Sequence, residues 1–567
     1  MASDFKTLEL KPITSGAPFT ETYPQKKYNG PRPAVLLILD GWGIGPNYAG
    51  NAIARAKTPN MDQYWASFPH TQLQASGQAV GLPHGEDGNT ETGHLNIGAG
   101  SIVYQDLPRI NMAIADGSFN TTPAFLNAFA HVKTNNSVLH LMGLVGAGGV
   151  HSNVEHLYAL LSLCAAQKVE RVYIHAFTDG RDSPPTGGAG YIRTLMEYCQ
   201  KVNVGRVASI MGRFYAMDRD KRWERIEKAY NCLTLGDGIK ASDPVQAIQD
   251  QYAKGTTDEF MEPTNITLED GTVPVIQDKD AVIFFNYRID RPRELTKAFV
   301  KRDFETGPMY EGFDPYAVKY QGSHLKKVEG TAMFTRQKVL ANLYFVTMTM
   351  YEDKLPVDVA FPPQFVRNPI CKVFASHGLK QLRMSETEKE RFVTYYMNGQ
   401  KEEIYPGEDR IILPSKGAKS YDQVPEMSAR EITEHMIQQL RRDVYDVVIC
   451  NFANADMVGH TGNLQAAITA VETLDQCIGK IVQEVGNRGG VVFITADHGN
   501  AEEMINMATG EVDTEHSIYP VPFIIISKKY IGQNTMLPSG ILADVAPTML
   551  SVMGISKPET MTGRALL

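Results

Sequence analysis

Short apolar runs that end in polar or charged residues recur along the chain. Residues 34–39 read Ala-Val-Leu-Leu-Ile-Leu and are followed directly by Asp40 and Gly41. A run of this length and composition predicts a strand that is buried on both faces of a parallel sheet. Five further runs lead into polar residues in the same way, at residues 171–177, 206–211, 281–285, 447–450 and 491–494.

Amphipathic helical patterns separate these predicted strands. In the clearest one, apolar residues recur at intervals of three and four between Leu464 and Val485. Residues 153–167 and 428–442 have similar patterns. The alternation of strands and helices predicts an α/β fold throughout. Because ligands bind beyond the carboxyl ends of strands in such sheets, the polar residues that follow the predicted strands are candidate site residues.

Length and composition narrow the classes of protein to consider. A chain of 567 residues exceeds what one hydrophobic core supports, so two or three domains are expected. A net charge of −9 argues against a nucleic-acid scaffold. The polar residues 1–33 lack an apolar core typical of a signal peptide, and no segment has eighteen successive apolar residues, so we predict a surface extension and no membrane span. Six scattered cysteines indicate free thiols in a reducing compartment.

Carboxylate and imidazole side chains follow three of the predicted strands. Asp456 and His460 are four residues apart, and Asp497 and His498 come directly after the run at 491–494. The further candidates are Asp40 and His516. Mixed sets of this kind suit Mn²⁺, Zn²⁺ or similar ions. A single aspartate after a strand is often a helix cap, but the combination predicts two metal ions.

A hydroxyl and a group of cations complete the candidate chemistry. Thr90 lies in a glycine-punctuated segment, and we expect an exposed loop whose hydroxyl can attack a phosphoryl or acyl centre. Charged surface runs are usually solvated, but Arg213 and Arg288 follow apolar runs closely, which favours anion binding. The cationic candidates are Arg181, Arg213, Arg219, Arg288, Arg291 and Lys389.

Seven motifs occur in an order that resembles a known family. They are LDGWG at 39–43, GNTETGH at 88–94, GGVHS at 148–152, DGRD at 179–182, MDRDKRW at 217–223, NFANADMVGH at 451–460 and TADHGN at 495–500. The sequence resembles the cofactor-independent phosphoglycerate mutases of the alkaline phosphatase superfamily from about residue 34 to the C-terminus. The family's usual nucleophile is serine, whereas this chain has Thr90.

The resemblance implies two α/β domains and an isomerase activity. An alkaline-phosphatase-like metal domain at 34–107 and 337–567 would be interrupted by a phosphotransferase domain at 108–336, after an extension at 1–33. Independently of the resemblance, the weak pattern of residues 301–336 predicts a long connection, and it is long for the family. The implied reaction interconverts 3-phosphoglycerate and 2-phosphoglycerate, without added 2,3-bisphosphoglycerate, through a phosphoenzyme on Thr90. It belongs to glycolysis and gluconeogenesis.

The resemblance also implies particular site residues. One ion would lie on Asp456, His460 and His516, and the other on Asp40, Thr90, Asp497 and His498. Mn²⁺ is the expected ion, with Mg²⁺, Zn²⁺ or Co²⁺ as alternatives. The implied substrate-binding residues are His151, Arg181, Asp182, Arg213, Arg219, Arg288, Arg291 and Lys389.

The same residues are also compatible with other functions. The same metal core could serve a phosphatase, a phosphodiesterase or a phosphopentomutase, and a non-catalytic binding protein could keep the fold. A sulfatase is disfavoured because no C-x-P-x-R motif is present, and a dinucleotide-binding loop is disfavoured because His151 stands where its third glycine would be. For the mutase we expect a cytoplasmic monomer with a small-molecule substrate and no nucleic-acid or membrane partner.

Overall fold

The computed structural model describes residues 28–306 and 333–567. They divide into two compact units, since the chain leaves the first unit after Gln105 and returns to it at Gln364. The first unit thus comprises residues 28–105 and 364–567, and the second comprises 106–306 and 333–363. Most of the predicted N-terminal extension and of the predicted 301–336 connection lies outside the described residues.

Strands and helices alternate in both units. In chain order the strands are β1 (Ala34–Leu39), β2 (His70–Gln74), β3 (Leu139–Val145), β4 (Val172–Thr178), β5 (Arg206–Gly212), β6 (Ile239–Ala241), β7 (Thr264–Ile266), β8 (Ala281–Phe284), β9 (Tyr344–Thr349), β10 (Asp358–Phe361), β11 (Gln381–Glu386), β12 (Glu408–Leu413), β13 (Val447–Phe452), β14 (Val491–Thr495), β15 (Val521–Ser527) and β16 (Gly540–Ile541).

The α-helices are numbered in the same way. They are α1 (Ala52–Arg55), α2 (Pro59–Ser67), α3 (Thr90–Ala99), α4 (Asp106–Asp116), α5 (Pro123–Asn135), α6 (Val154–Ala166), α7 (Gly188–Val202), α8 (Arg213–Ala216), α9 (Trp223–Leu235), α10 (Pro244–Tyr252), α11 (Arg293–Val300), α12 (Ile370–Ser376), α13 (Ala429–Arg441), α14 (Asn454–Gly459), α15 (Leu464–Asn487) and α16 (Val545–Val552).

The first unit is built on an eight-stranded sheet with the order β12-β11-β13-β1-β14-β15-β2-β16. The five strands from β12 to β14 are parallel to their neighbours, and β15 runs antiparallel to β14. Every residue of β1 is buried, as expected for a strand at the centre of a covered sheet. The carboxyl ends of β1, β11, β13 and β14 therefore meet at one edge.

The second unit has its own eight-stranded sheet, with the order β10-β9-β8-β3-β4-β5-β7-β6. The six strands from β10 to β5 are parallel, and β7 runs antiparallel to β5. Apolar residues pack in two buried clusters in this unit. The carboxyl ends of β3, β4, β5 and β8 lie along one edge, which positions the residues that follow them.

The predicted α/β class is confirmed, and the six predicted strands correspond to β1, β4, β5, β8, β13 and β14. The three predicted helices correspond to α6, α13 and α15. Strand β11 was not predicted because three of its buried residues, Gln381, Arg383 and Ser385, are polar and break the apolar run.

The limits of the second unit differ from the predicted 108–336. Residues 337–363 group with the second unit rather than with the metal domain, because β9 pairs with β8 and β10 pairs with β9. Pairing between strands distant in sequence cannot be read from a local pattern, which explains the difference. All six cysteines are buried and unpaired. Among the described residues, no helix has the length and apolar character needed to cross a bilayer.

Candidate active site

Thr90 is the first residue of α3 and is only 6% exposed, so the predicted exposed loop is wrong. The helix begins here because the side chain of Asn89 accepts a hydrogen bond from the backbone N–H of Thr92 at 2.9 Å. The glycines serve close packing instead. A Cβ on Gly93 would lie 2.5 Å from the carbonyl oxygen of Asp497, so only glycine brings α3 this close to the end of β14.

Three charged or polar groups surround the Thr90 hydroxyl. Its Oγ1 lies 3.0 Å from Lys389 Nζ, 3.0 Å from His498 Nε2 and 3.3 Å from Asp40 Oδ1. All three partners are buried. The hydroxyl of a helix-initiating residue is thus held in one place by groups from the ends of other elements.

Two imidazoles and a carboxylate converge in the first unit. His460 Nε2 and His516 Nε2 are 3.1 Å apart, and they lie 3.2 and 3.3 Å from Asp456 Oδ1. Their Nδ1 atoms are 2.7 Å from the Thr514 carbonyl and 2.8 Å from the Gly88 carbonyl. A carbonyl only accepts, so Nδ1 carries the proton, and in the neutral rings both Nε2 lone pairs face Asp456. Such a set repels itself until a cation enters it.

A second set of donors lies beside the first. Asp40, Asp497 and His498 are completely buried, and His498 Nε2 lies 3.3 Å from Asp40 Oδ1 and 3.6 Å from Asp497 Oδ2. His498 Nδ1 donates to the Gly499 carbonyl at 3.1 Å, which again leaves Nε2 facing the carboxylates. Asp497 Oδ2 is buried and lies 3.1 Å from His94 Nδ1. These donors fit a second divalent cation.

The spacing of the donors groups them differently from the predicted division. The ligand atoms of Asp456, His498 and His516 lie within 4.8 Å of one another, and so do those of Asp40, His94 and Asp497. His94 was not predicted. Its Nδ1 donates to the Thr90 carbonyl at 3.0 Å, and its Nε2 accepts from Asn451 at 3.1 Å. Both ring nitrogens are already bonded, so we interpret His94 as a support for Thr90.

Lys389 lies among the metal-binding candidates. Its Nζ is 2.9 Å from Asp40 Oδ1 and 2.7 Å from Asp456 Oδ2. Burial lowers the pKa of Lys389, but the charges of Asp40 and Asp456 raise it by more, so the amine stays protonated. Burial alone would raise the pKa of Asp456, yet Lys389 and the imidazoles hold it well below its ordinary value.

Two imidazoles of this centre, His498 and His460, bind protons more tightly than a free histidine does. Burial lowers the pKa of His498, but Asp497 and Asp40 outweigh it and raise the value to about 10. The hydrogen bond with Asp456 raises the pKa of His460 against the effect of burial. Both shifts show that the centre attracts positive charge, whether it arrives as a proton or as a metal ion.

The second unit gathers arginines at the edge formed by β3, β4, β5 and β8. Arg213 is 2% exposed, and its Nη1 lies 2.5 Å from both Asp179 Oδ1 and Asp182 Oδ2. His151 Nε2 is 3.7 Å from Asp182 Oδ2. Burial and the charge of Arg213 lower the pKa of His151 to about 3, so its ring is neutral near pH 7. This edge therefore favours negative charge.

Asp290 connects three of the predicted residues. It lies 2.6 Å from Arg219 Nη1, 3.1 Å from Arg288 Nε and 3.7 Å from His151 Nδ1. The guanidinium of Arg291 donates to the Met217 carbonyl at 3.0 Å. Burial, Arg219 and Arg213 lower the pKa of Arg291 to about 10, a sign of unbalanced positive charge. The cluster fits an anionic ligand.

Arg181 is the predicted substrate residue with the loosest setting. Its side chain is 53% exposed and pairs with Glu259 at 3.3 Å. Its backbone N–H reaches Asp179 at 3.3 Å, whereas its guanidinium has no ion pair with the carboxylates that hold Arg213. A half-exposed guanidinium is free to reorient towards a ligand.

Comparisons with known proteins identify the family of this chain. A family model described as "BPG-independent PGAM N-terminus" matches residues 110–353, and one described as "Sulfatase" matches residues 374–555. A 2,3-bisphosphoglycerate-independent phosphoglycerate mutase of Moorella thermoacetica is 48% identical over 536 residues, covering 94% of this chain and 98% of the relative. The chain belongs to the 2,3-bisphosphoglycerate-independent phosphoglycerate mutase family.

Other members of this mutase family give the same result. One of the two such enzymes of Methanosarcina acetivorans is 48% identical, over 94% of this chain and 98% of its own length. A solved structure of Leishmania mexicana phosphoglycerate mutase, obtained at low cobalt concentration, has 29% identity and a TM-score of 0.56. That match covers 96% of this chain and 99% of the other.

Several polar residues of the mutase fold were missed by sequence reasoning. Asn451 Nδ2 donates to Asp40 Oδ2 at 2.7 Å, and Asn500 Nδ2 donates to Asp456 Oδ1 at 3.3 Å. Asp179 and Asp290 hold the arginines of the second unit. Asn451, Asn500 and Asp179 lie in the family motifs, and Asp290 lies between two predicted arginines. Their polar side chains close to strand ends could have identified them as candidate site residues.

Proposed function

We propose that this protein interconverts 3-phosphoglycerate and 2-phosphoglycerate, without added 2,3-bisphosphoglycerate, through a phosphoenzyme on Thr90. The observation that supports it best is the Thr90 hydroxyl, which lies within 3.3 Å of Lys389, His498 and Asp40. A buried hydroxyl beside a cation and metal-type donors suits phosphoryl transfer. Membership of the mutase family points to the same reaction.

The proposed metal ligands are those of the first unit. Asp456, His460 and His516 would hold one divalent ion, with His498 Nε2 at 3.9 Å from Asp456 Oδ1 as a neighbour of this set. Asp40, Asp497 and His498 would hold the other together with Thr90. Bound divalent ions supply Lewis-acid stabilisation of charge on a nucleophilic oxygen and on phosphoryl oxygens. We propose Mn²⁺, with Mg²⁺, Zn²⁺ or Co²⁺ as alternatives.

Lys389 has a direct part in the proposed transfer. In the first step Thr90 Oγ1 gives up its proton and bonds to phosphorus, while the bond from phosphorus to the C3 oxygen breaks and that oxygen takes up a proton. In the second step the C2 hydroxyl gives up its proton and bonds to phosphorus, while the bond from phosphorus to Thr90 Oγ1 breaks and Oγ1 regains its proton. The charged Lys389 amine, 3.0 Å from Thr90 Oγ1, stabilises negative charge on Oγ1 and on the transferring group.

The second unit would bind the glycerate part of the substrate. Arg213, Arg219, Arg288 and Arg291, with Arg181, offer guanidinium groups that match a carboxylate or phosphate in two-point contacts. Neutral His151 and ionised Asp182 are able to move a hydroxyl proton between C2 and C3 of the glycerate. Holding glycerate here between the two steps would prevent loss of the intermediate.

The decisive assay compares substrates and conditions. We expect conversion of 3-phosphoglycerate to 2-phosphoglycerate with no bisphosphate present, and loss of this activity after chelation. Ribose phosphates and aryl phosphates, the substrates of a phosphopentomutase or a phosphatase, should react far more slowly. An absolute need for 2,3-bisphosphoglycerate, or release of phosphate as the main product, would overturn the proposal.

The remaining features of the proposal concern its setting. A small phosphorylated substrate needs no nucleic-acid or membrane partner, and we propose a monomer that works in the cytoplasm. Size-exclusion chromatography with light scattering tests the monomer, and a mass twice that of the 62.8 kDa chain would contradict it.

A further inference from the structure

Glu502 is a completely buried carboxylate near the proposed metal ligands that is not itself one of them. Its Oε2 accepts hydrogen bonds from the backbone N–H groups of Gly43 and Asn500, both at 2.9 Å. Its Oε1 accepts a hydrogen bond from the Ser517 hydroxyl. One side chain therefore bonds to three separate segments of the chain.

Each of these segments carries a proposed metal ligand. Gly43 comes three residues after Asp40, Asn500 two residues after His498, and Ser517 one residue after His516. Backbone hydrogen bonds join the same segments, from Ser517 N–H to the Gly499 carbonyl at 3.0 Å and from Ile44 N–H to the Pro520 carbonyl at 2.7 Å. Glu502 adds a carboxylate that accepts hydrogen bonds from all three segments.

Two glycines show how closely the segments pack on this carboxylate. A Cβ on Gly43 would lie 2.2 Å from the Glu502 carboxyl carbon, and a Cβ on Gly499 would lie 2.1 Å from its Oε1. Real Cβ atoms do not approach other atoms so closely, so both positions require glycine while Glu502 stays in place. The glutamate and the two glycines form one packed unit.

We propose that Glu502 is a positioning residue that sets the spacing of the metal ligands on these three segments. The assignment of Asp40, His498 and His516 as ligands rests on the proposed function, whereas the three contacts of Glu502 do not. Removal of a group that orients metal ligands from behind typically lowers metal affinity about 10- to 100-fold. A purely structural role would lower the stability of the metal-free protein and leave its metal affinity unchanged.

The test uses three substitutions of Glu502 in the full chain. Glu502→Ala removes all three contacts, and Glu502→Asp keeps the charge but is one methylene too short to reach all of them. Glu502→Gln keeps the length: its amide oxygen can accept from both backbone N–H groups, and its NH₂ can donate to the Ser517 hydroxyl. Glu503→Ala is the matched control, because the Glu503 side chain has no hydrogen bond or ion pair with the described residues.

Mn²⁺ alone is the probe, titrated into each metal-free variant while the EPR signal of the free ion is followed. We expect the Ala and Asp variants to bind Mn²⁺ about 10- to 100-fold more weakly, and the Gln and Glu503→Ala variants to stay within about threefold of the parent. Thermal unfolding of each metal-free variant reports stability separately.

The outcomes separate this inference from the proposed function. Parent-like Mn²⁺ affinity in the Asp variant, or equal losses in the Gln and Ala variants, would overturn the positioning role. If the Ala variant does not fold, the Asp and Gln variants decide the matter. A parent that binds no Mn²⁺ would overturn both proposals, whereas a parent that binds Mn²⁺ but lacks mutase activity would overturn only the function.

Discussion

His498 in the first unit and His151 in the second are both buried at the carboxyl edge of a parallel sheet, yet their pKa values shift in opposite directions. Burial lowers both. In the first unit Asp497 and Asp40 more than compensate and raise the pKa of His498 to about 10. In the second, Arg213 adds to burial and lowers the pKa of His151 to about 3. Two edges of the same kind therefore carry opposite electrostatic fields.

The topology and the side chains have separate effects in this comparison. Parallel pairing brings strand ends together in both sheets, which explains why distant residues meet. The residues that follow the strands then set the sign, since Asp40 follows β1 and Asp497 follows β14, whereas Arg213 follows β5. One sheet edge therefore suits a cation and the other an anion without a change of architecture.

The two sites also differ in how far they are preorganised. In the first, Asp40, Asp456 and Thr90 are already joined through Lys389, and all four residues are buried. In the second, the side chains of Arg181 and Arg219 are 53% and 41% exposed and are paired with carboxylates. A ligand of the second site must exchange these partners, which suits a substrate that binds and reorients.

The largest effect is expected at the nucleophile. Thr90→Ala should lower mutase activity by at least about 10³-fold and abolish the acid-stable phosphoenzyme, because no other described hydroxyl occupies its place beside Lys389. Rates with 3-phosphoglycerate and trapping of the phosphoenzyme measure this.

Two controls accompany that variant. Thr90→Ser should keep the phosphoenzyme, because it retains the hydroxyl. Thr92→Ala should stay close to the parent, since among the described residues the Thr92 hydroxyl bonds only to Asn89, and the cap uses the Thr92 backbone N–H. Full activity in Thr90→Ala would remove this residue from the mechanism.

Lys389→Met tests the balance of charge in the first unit. It leaves Asp40 and Asp456 buried without their cation, which should destabilise the metal-free protein by about 3–5 kcal/mol. Activity should fall about 10²-fold or more. Excess Mn²⁺ should recover much of the lost stability, because the ion replaces the missing charge.

Denaturant unfolding with and without Mn²⁺ measures this difference. Lys416→Met removes a lysine from a partly exposed ion pair with Glu431 in the same unit, and should change stability by less than about 1 kcal/mol. Equal losses of stability in the two lysine variants would show that the charge of Lys389 does not stabilise the buried carboxylates more than an exposed ion pair would.

Arg291→Gln tests the anion site of the second unit. It removes a partly buried guanidinium whose charge is poorly balanced, so affinity for 3-phosphoglycerate should fall about 10- to 100-fold. Calorimetry in the Thr90→Ala background measures binding without turnover. Arg171→Gln makes the same change of charge at the start of β4, the opposite edge, and should leave affinity unchanged. Equal losses would indicate a general charge effect.

The smallest effect is a pH dependence that should separate the two sites. The pKa of about 10 means that a proton occupies His498 in the metal-free protein near pH 7, and the pKa of His460 is raised in the same direction, so metal binding must displace the proton of His498. Mn²⁺ affinity should rise between about pH 7 and pH 9, by up to about tenfold per unit for each displaced proton.

His151 should contribute nothing to the pH dependence of ligand binding in that range. Its pKa is lowered to about 3, so the ring is already neutral at both limits. Isothermal titrations with Mn²⁺ and with 3-phosphoglycerate at several pH values test both statements. Flat Mn²⁺ affinity would contradict the assignment of the two imidazoles as ligands.

Local patterns predicted much of the fold and most of the candidate residues. The run at 34–39 coincides with β1, and the pattern from Leu464 coincides with the start of α15. Such elements can be predicted because a strand buried on both faces is a continuous apolar run, and a helix buried on one face has apolar residues every three or four positions. Strand β11 was not predicted because buried Arg383 and its polar neighbours interrupt the apolar run.

The sequence by itself determined the α/β class, the motif order and the residue types of both sites. Only the tertiary structure placed Thr90 at a helix start, Lys389 between two carboxylates and Glu502 behind three ligand-bearing segments. Asp40 and Asn451 are 411 positions apart along the chain, yet Asn451 Nδ2 lies 2.7 Å from Asp40 Oδ2. Secondary structure follows from neighbours in sequence, whereas strand pairing decides which distant side chains share a site.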